Sequence, residues 1–376
     1  MTATVDTLRC IPPLGRLDAP ILILQDCPSQ LELQEKRHLL PGPTRTLQRK
    51  LKGIGVAPHD CRLEFFFSRP PENAKEAKAL SREIAKPFRE RILASPHEDI
   101  IILGGNSPFV TRNLGQLALA ALLGKTKILP WASYRQTIIP LNGKKIFPIY
   151  HPTAALRMPQ FQESFDRDIA RFGRWRGKPF HPPEDSAGRK LHYPETLKEV
   201  ENLLPLFRKE GTASKPLLAF DVETTYDDGV IWDKRLTCWA VSNGAHTMSV
   251  PYSTDMHGEN SHWTVSEEKH LISLFRDLFQ NARVITQNGP AFDHIVAESY
   301  GFPVQDWEDT CNLAHVLHGH LPKALAFLSS FYLDIPPWKE VPHTTDMRAH
   351  RLYNCQDTLY TYLVYRELES RLKEGR

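Results

Sequence analysis

At 376 residues, with 41% apolar and 24% charged side chains, the chain is long enough for two domains with separate cores. No stretch nears the roughly 20 apolar residues that span a bilayer. The first residues, MTATVDTLRC, lack the basic-then-apolar layout of a signal peptide. Six scattered cysteines without a C-x-x-C pair point to neither a disulfide framework nor a zinc knuckle. A reducing, cytoplasmic setting with no membrane partner is therefore expected. The net charge of +3 is uneven: residues 1–180 carry 28 Lys+Arg against 16 Asp+Glu, and residues 181–376 carry 19 against 28. Such blocks suggest that one half meets a polyanion and the other gathers carboxylates.

In chain order, Pro20–Gln25 reads as a short apolar strand, and about Thr44 to Ile54 as a helix. Leu63–Phe67 is a second strand, Ala74–Leu93 a charged amphipathic helix, and Asp99–Leu103 a third strand closed by Gly104-Gly105. Ser107-Pro108 suits a helix start, and Lys145–Tyr150 a fourth strand. Continuous apolar strands alternating with helices predict a mostly parallel sheet covered on both faces. Residues 178–195, with four prolines among charges, have linker composition. The expected division is a first domain over 1–177, a linker and connecting helix over 178–215, and a second domain over 216–376.

Beyond the linker the pattern changes to a meander, with strands at Leu217–Val222, Leu236–Val241 and Thr247–Tyr252 joined by short turns. Thr264-x-x-Glu267 is a capping box that opens a helix to about Phe279. Val284–Thr286 is a further strand, and helices dominate from Ala291. An α/β chain with a parallel sheet first and an RNase H-like layout second is the predicted architecture.

Phosphodiester hydrolysis by two metals needs carboxylates converging on two cations roughly 3.5–4 Å apart, and oxygen ligands select Mg²⁺ or Mn²⁺. Asp221 and Glu223 lie at i and i+2 on an apolar strand, so both aim at one face. Acids there are costly unless paired or bound to metal. Thr286-Gln287-Asn288-Gly289-Pro290-Ala291-Phe292-Asp293 runs from a strand end into a helix, with Asp293 in its first turn; alone, that is ordinary helix-dipole chemistry. Tyr353 and Asp357 stand at i and i+4 on a long helix from about Thr345, one turn apart on one face.

Taken together, these segments resemble, in order and spacing, the three exonuclease motifs of the DEDD superfamily, in the branch with tyrosine in the last motif. The likeness is strongest to the proofreading domain of family A DNA polymerases and covers about Leu217 to Glu367, including Glu308–His315. The resemblance implies a 3′–5′ exonuclease with Asp221, Glu223, Asp293 and Asp357 as ligands of two divalent cations. It also implies that Tyr353 orients the attacking water and that Thr224, Asn288 and Phe292 line the path of the 3′ terminus. Single-stranded DNA or frayed 3′ ends are the implied substrate. Only about twenty residues follow Asp357, so a separate DNA polymerase is an expected partner, an arrangement that would suit a phage with divided replication genes. His315, His318, His320, His343 and His350 lack ligand spacing with cysteines and read as surface or core residues.

In the first half, Gln25-Asp26-Cys27-Pro28-Ser29, Gly42-Pro43, Ser68-Arg69-Pro70-Pro71-Glu72-Asn73 and Tyr150-His151-Pro152 resemble the uracil-DNA glycosylase superfamily over about Pro20 to Trp175. Asp26 would stand for the water-activating acid, and His151 would donate to a base or a phosphate. The family's Asn falls near Glu64, and the cysteines that hold an iron–sulfur cluster are missing, so no such cofactor is expected. The implied role is DNA binding by a glycosylase-like domain, through phosphate contacts from Arg37, Arg45, Arg49, Lys50 and Lys52. A working glycosylase with an accessory nuclease is the alternative, and a scaffold with a degenerate metal site a further one.

Overall fold

A computed structural model describes residues 11–106, 113–114, 116–125, 131–157, 159–185, 188–208, 215–225, 234–339 and 346–375. The chain forms two compact units: Met1–Phe180 with Asp334–Pro337, and His181–Leu333 with Trp338–Arg376.

The first unit is built on strands β1 (Ile21–Gln25), β2 (Cys61–Phe65), β3 (Asp99–Asn106), β4 (Asn113–Leu114), β5 (Ile139–Leu141) and β6 (Lys144–Tyr150). The sheet order is β2-β1-β3-β6-β5, and β4 pairs with the end of β3. β1, β2, β3 and β6 run parallel. Their side chains explain this: Ile21–Leu24 and Ile100–Leu103 are buried on both faces, which only a covered parallel sheet allows. Gly104-Gly105 does not end β3, which runs on to Asn106 and pairs with β4. The helix start read at Ser107-Pro108 lies outside the described residues. β5 and β6 form a hairpin on Asn142 and Gly143, both at positive φ (46° and 78°), as a two-residue turn of this hand requires. Asp334 adds a return segment to this unit, accepting from Arg171, Arg174 and Trp175 at 2.8–3.1 Å.

The second unit holds β7 (Lys190–His192), β8 (Leu217–Thr224), β9 (Leu236–Ser242), β10 (His246–Pro251), β11 (Arg283–Thr286) and β12 (Trp307–Asp309), in the order β12-β11-β8-β9-β10-β7. β8, β9 and β10 are the antiparallel meander, while β11 and β12 extend it in parallel on the β8 side. This is an RNase H-like α/β arrangement. The stretch read as a linker is partly structural: β7 pairs in parallel with β10, and Glu184 accepts from Gln356 Nε2 and Tyr360 OH. A three-residue edge strand takes its register from its neighbour, so its composition carries little signal.

One face of β8, with Leu218, Phe220 and Val222, packs into a core with Trp239, Phe275, Phe279 and Phe302. Edge-to-face pairs such as Phe220–Phe279, at 4.9 Å between centroids, each add about 0.5–1.5 kcal/mol beyond area burial. The other face, with Ala219, lies under the last helix, Met347–Lys373, where Tyr365 meets Ala219 and Ile285. Among the described residues, no helix is long and apolar enough to cross a membrane.

Candidate metal centre

Strand alternation puts Asp221 and Glu223 on the β8 face that lies under the last helix. Between Glu223 and Thr224 the register against β9 shifts by one residue, leaving Thr237 of β9 without a partner in the ladder; its Oγ1 donates to the Glu223 carbonyl at 2.9 Å. On the helix, Asp357 is buried and Tyr353 half-buried, one turn apart. One ligand atom from each of Asp221, Glu223 and Asp357 lies within 4.8 Å of the other two, the group among the described residues able to hold a metal ion. No histidine belongs to it; His350 is instead buried and bonded to Thr237 Oγ1 at 2.9 Å.

Asp293 opens the helix Asp293–Ser299 and is buried. Its Oδ1 accepts from the Val222 backbone N–H at 3.0 Å, which fastens it to the strand between the two β8 acids. The turn before it is held by Asp309, whose Oδ2 accepts from Gly289 N at 2.9 Å while Oδ1 caps the next helix through Cys311 N at 2.8 Å. Gly289 must be glycine: a Cβ there would come within 2.3 Å of Thr286 Oγ1. Asn288 is exposed in the left-handed region (φ 62°). Phe292 is half-buried against the core, and Thr224 is buried.

The electrostatics are those of crowded like charges. Burial, then Asp293, Glu223 and Asp357, push Asp221 well above the usual carboxylate range. Burial and then Asp357 do the same to Glu223. Burial raises Asp293 to about 7 against the help of the Val222 amide. Enclosing several carboxylates costs several kcal/mol each unless a cation compensates. Burial and Asp357 raise the Tyr353 phenol above its ordinary value, so it stays protonated and able to donate.

Three residues at the site escaped the motif reading. Asn354 donates to Asp221 Oδ2 at 2.9 Å and is itself oriented by Ser249 Oγ at 2.9 Å. Trp338 donates its indole N–H to Asp357 Oδ1 at 2.5 Å. Lys339 pairs with Asp357 Oδ2 and donates to Tyr353 OH at 2.6 Å. Asn354 directly follows Tyr353 on the buried side of the helix, a hint available in the sequence. Trp338 and Lys339 follow Pro336-Pro337, and nothing in their spacing points to the acids.

In the first unit the singled-out residues comprise bonded groups at the strand ends and exposed basic residues on a helix. Asp26 is buried and accepts from the Leu117 and Ala118 amides at 3.3 and 2.9 Å, at the start of the helix Gln116–Leu122. Both of its carboxylate oxygens thus accept from backbone donors. His151 lies 3.1 Å from Gln25 Oε1 and accepts from Thr153 N at 3.2 Å; burial lowers its pKa to about 4. Glu64 is paired with Arg62 and Arg91. On the helix Pro41–Gly53, Arg45 and Arg49 are exposed. Lys50 pairs with Asp166 at 2.6 Å.

No protein-family model matches the chain. Among curated proteins, the DNA polymerase of Bacillus phage SP01 is 27% identical over 177 residues, covering 45% of this chain and 18% of that polymerase. The chain thus spans less than a fifth of that relative's length. Among solved structures, the catalytic core of RRP6 from Trypanosoma brucei aligns with a TM-score of 0.37 at 17% identity, over 50% of this chain and 48% of that one. NrnC of Brucella melitensis aligns at 0.34 and 18% identity, over 50% and 84%. The Nibbler EXO domain of Aedes aegypti aligns at 0.38 and 12%, over 52% and 94%.

Proposed function

We propose that the second unit is a divalent-metal-dependent 3′–5′ exonuclease that removes nucleotides from single-stranded or frayed DNA 3′ ends. The observation that carries this reading is the convergence of Asp221, Glu223 and Asp357 within 4.8 Å, with Asp293 fastened beside them and Tyr353 one turn from Asp357. The donor set fits a hard cation: all its ligands are carboxylate oxygens, which suits Mg²⁺ or Mn²⁺, and their mutual repulsion calls for positive charge. Two such ions, when bound, stabilise charge at a scissile phosphate and lower the pKa of water.

The chain's own residues have definable parts in that reaction. Asp221, Glu223, Asp293 and Asp357 hold the ions. Asn354 and Trp338 fix the orientation of Asp221 and Asp357, which saves reorganisation during hydrolysis. The protonated Tyr353 phenol donates a hydrogen bond to the attacking water or the scissile phosphate. Thr224, Asn288 and Phe292 would line the path of the terminal nucleotides. The partial identity to a phage DNA polymerase favours DNA over RNA and a proofreading or processing role beside a separate polymerase. Arg45 and Arg49 of the first unit supply phosphate contacts without reading sequence.

The test is digestion of 5′-labelled single-stranded DNA and RNA of one sequence with Mg²⁺ or Mn²⁺, beside an EDTA control. A metal-dependent DNA ladder shortening from the 3′ end supports the reading. Faster loss of the RNA reassigns the substrate, and no cleavage of either removes the proposal.

A further inference from the structure

Tyr360 lies fully buried on the last helix, and a phenol enclosed there needs a hydrogen-bond partner. The partner is Glu184, in the short turn Pro183–Asp185 of the stretch with linker composition. Its Oε2 accepts from Tyr360 OH at 2.7 Å and its Oε1 from Gln356 Nε2 at 2.9 Å. Both oxygens of one carboxylate thus hold the helix, at positions on either side of Asp357. Burial and then Glu184 raise the Tyr360 phenol above its ordinary pKa, so its proton stays available to donate.

The ring of Tyr360 has a second neighbour in the same unit. Trp338 is buried and packs edge-on against it, at 4.8 Å between centroids and 88° between planes. Its indole N–H donates to Asp357 Oδ1 at 2.5 Å. An ionised carboxylate has about four lone-pair positions, so this bond leaves Asp357 in the group with Asp221 and Glu223 and limits only the rotation of its carboxyl. Rotation matters, because a hydrogen bond to a ligand sets the direction in which it meets a cation. The indole in turn keeps its place only while the Tyr360 ring does, since a close-packed interior passes the shift of one ring to the next.

Resting on the nuclease reading above, we propose that Glu184 is a positioning residue for the metal centre. It fixes Tyr360, Tyr360 fixes the Trp338 ring, and Trp338 fixes the Asp357 carboxyl. The stretch that leads into the second unit is then a working part of its site.

The experiment is titration of Mn²⁺ into the full-length protein without DNA, read by the electron paramagnetic resonance signal of free Mn²⁺. Glu184→Ala should weaken Mn²⁺ binding on the order of 10-fold, the lower end of what loss of support around a metal ligand costs. Glu184→Gln keeps one acceptor oxygen and should weaken it less. Trp338→Phe keeps an aromatic ring and removes the N–H, and in that background Glu184→Ala should weaken binding no further. Circular dichroism verifies that each protein is folded; should Glu184→Ala not fold, Tyr360→Phe breaks the same bond in its place. Unchanged Mn²⁺ affinity in Glu184→Ala, or an effect that adds in full to that of Trp338→Phe as independent sites do, overturns the assignment of Glu184 and leaves the nuclease reading standing. No Mn²⁺ bound by the wild type overturns both.

Discussion

Both units place charged side chains at the carboxyl ends of parallel strands, where open α/β sheets usually bind ligands, yet the two sets are in opposite states. In the first unit, Asp26 at the end of β1 is engaged by two backbone amides, and His151 after β6 is held between Gln25 and the Thr153 amide. In the second unit, the two acids of β8 and Asp293 lie among other acids, and all three sit well above their ordinary pKa. A buried polar group with partners in the protein stabilises the fold. One that is crowded by like charge weakens the fold and calls for something from outside. The acids of the two units therefore differ in what each one touches: backbone amides around Asp26, other carboxylates around Asp221 and Glu223.

The sharpest way to break this comparison is to neutralise one acid in each unit. Asp221→Asn should lower DNA hydrolysis by at least on the order of 100-fold, as expected for losing a carboxylate from an ion's oxygen shell. It should also raise the melting temperature of the metal-free protein, because a like charge is removed. Calorimetry beside a digestion assay reads both effects, and a lower melting temperature would deny the repulsion. Asp26→Ala should do the reverse. It should destabilise the first unit by about 1–3 kcal/mol, the cost of leaving buried donors unmade, while hydrolysis of single-stranded DNA continues; urea melts beside the same assay check it. Tyr353→Phe should slow cleavage by about 10- to 100-fold, the size of one hydrogen bond to a charged group, with Mn²⁺ affinity retained; single-turnover kinetics would show it.

Two smaller effects refine the account of the first unit. His151 has its pKa lowered to about 4 from 6.5 by burial, so the unfolded chain takes up a proton before the folded one does. Its contribution is present above about 6.5 and is lost as pH falls toward 4. His151→Gln should flatten the pH dependence of stability in that window, and an unchanged slope would mean that the ring is not buried neutral. Replacing Arg45 and Arg49 by alanine should reduce the salt slope of single-stranded DNA binding by ~1.4, at about 0.7 per phosphate contact. A slope that does not move would relocate the DNA track.

Much of this was legible because the physics was local. Period-two acids on an apolar strand and a capping box at Thr264 follow from backbone geometry, whereas Asp293 and the Tyr353–Asp357 pair stand out only through the resemblance in order and spacing. What escaped was tertiary. β7 has its register set by β10, so proline-rich composition concealed it. Trp338 and Lys339 reach Asp357 from a segment with no periodicity, and the register shift after Glu223 is visible only against β9. Asp26 matched a loop pattern, but its two amide donors lie more than ninety residues away. The hairpin at Asn142-Gly143 is different: Asn-Gly between apolar runs is a direct turn signal, and it went unread.

The central claim is that the acids of β8 and the last helix are a divalent metal site. The most direct test is a crystal of the protein soaked in Mn²⁺ and measured at the manganese absorption edge. The account predicts anomalous density bonded to carboxylate oxygens of Asp221, Glu223 and Asp357. Manganese density at other residues, in a protein that still hydrolyses DNA, would contradict it.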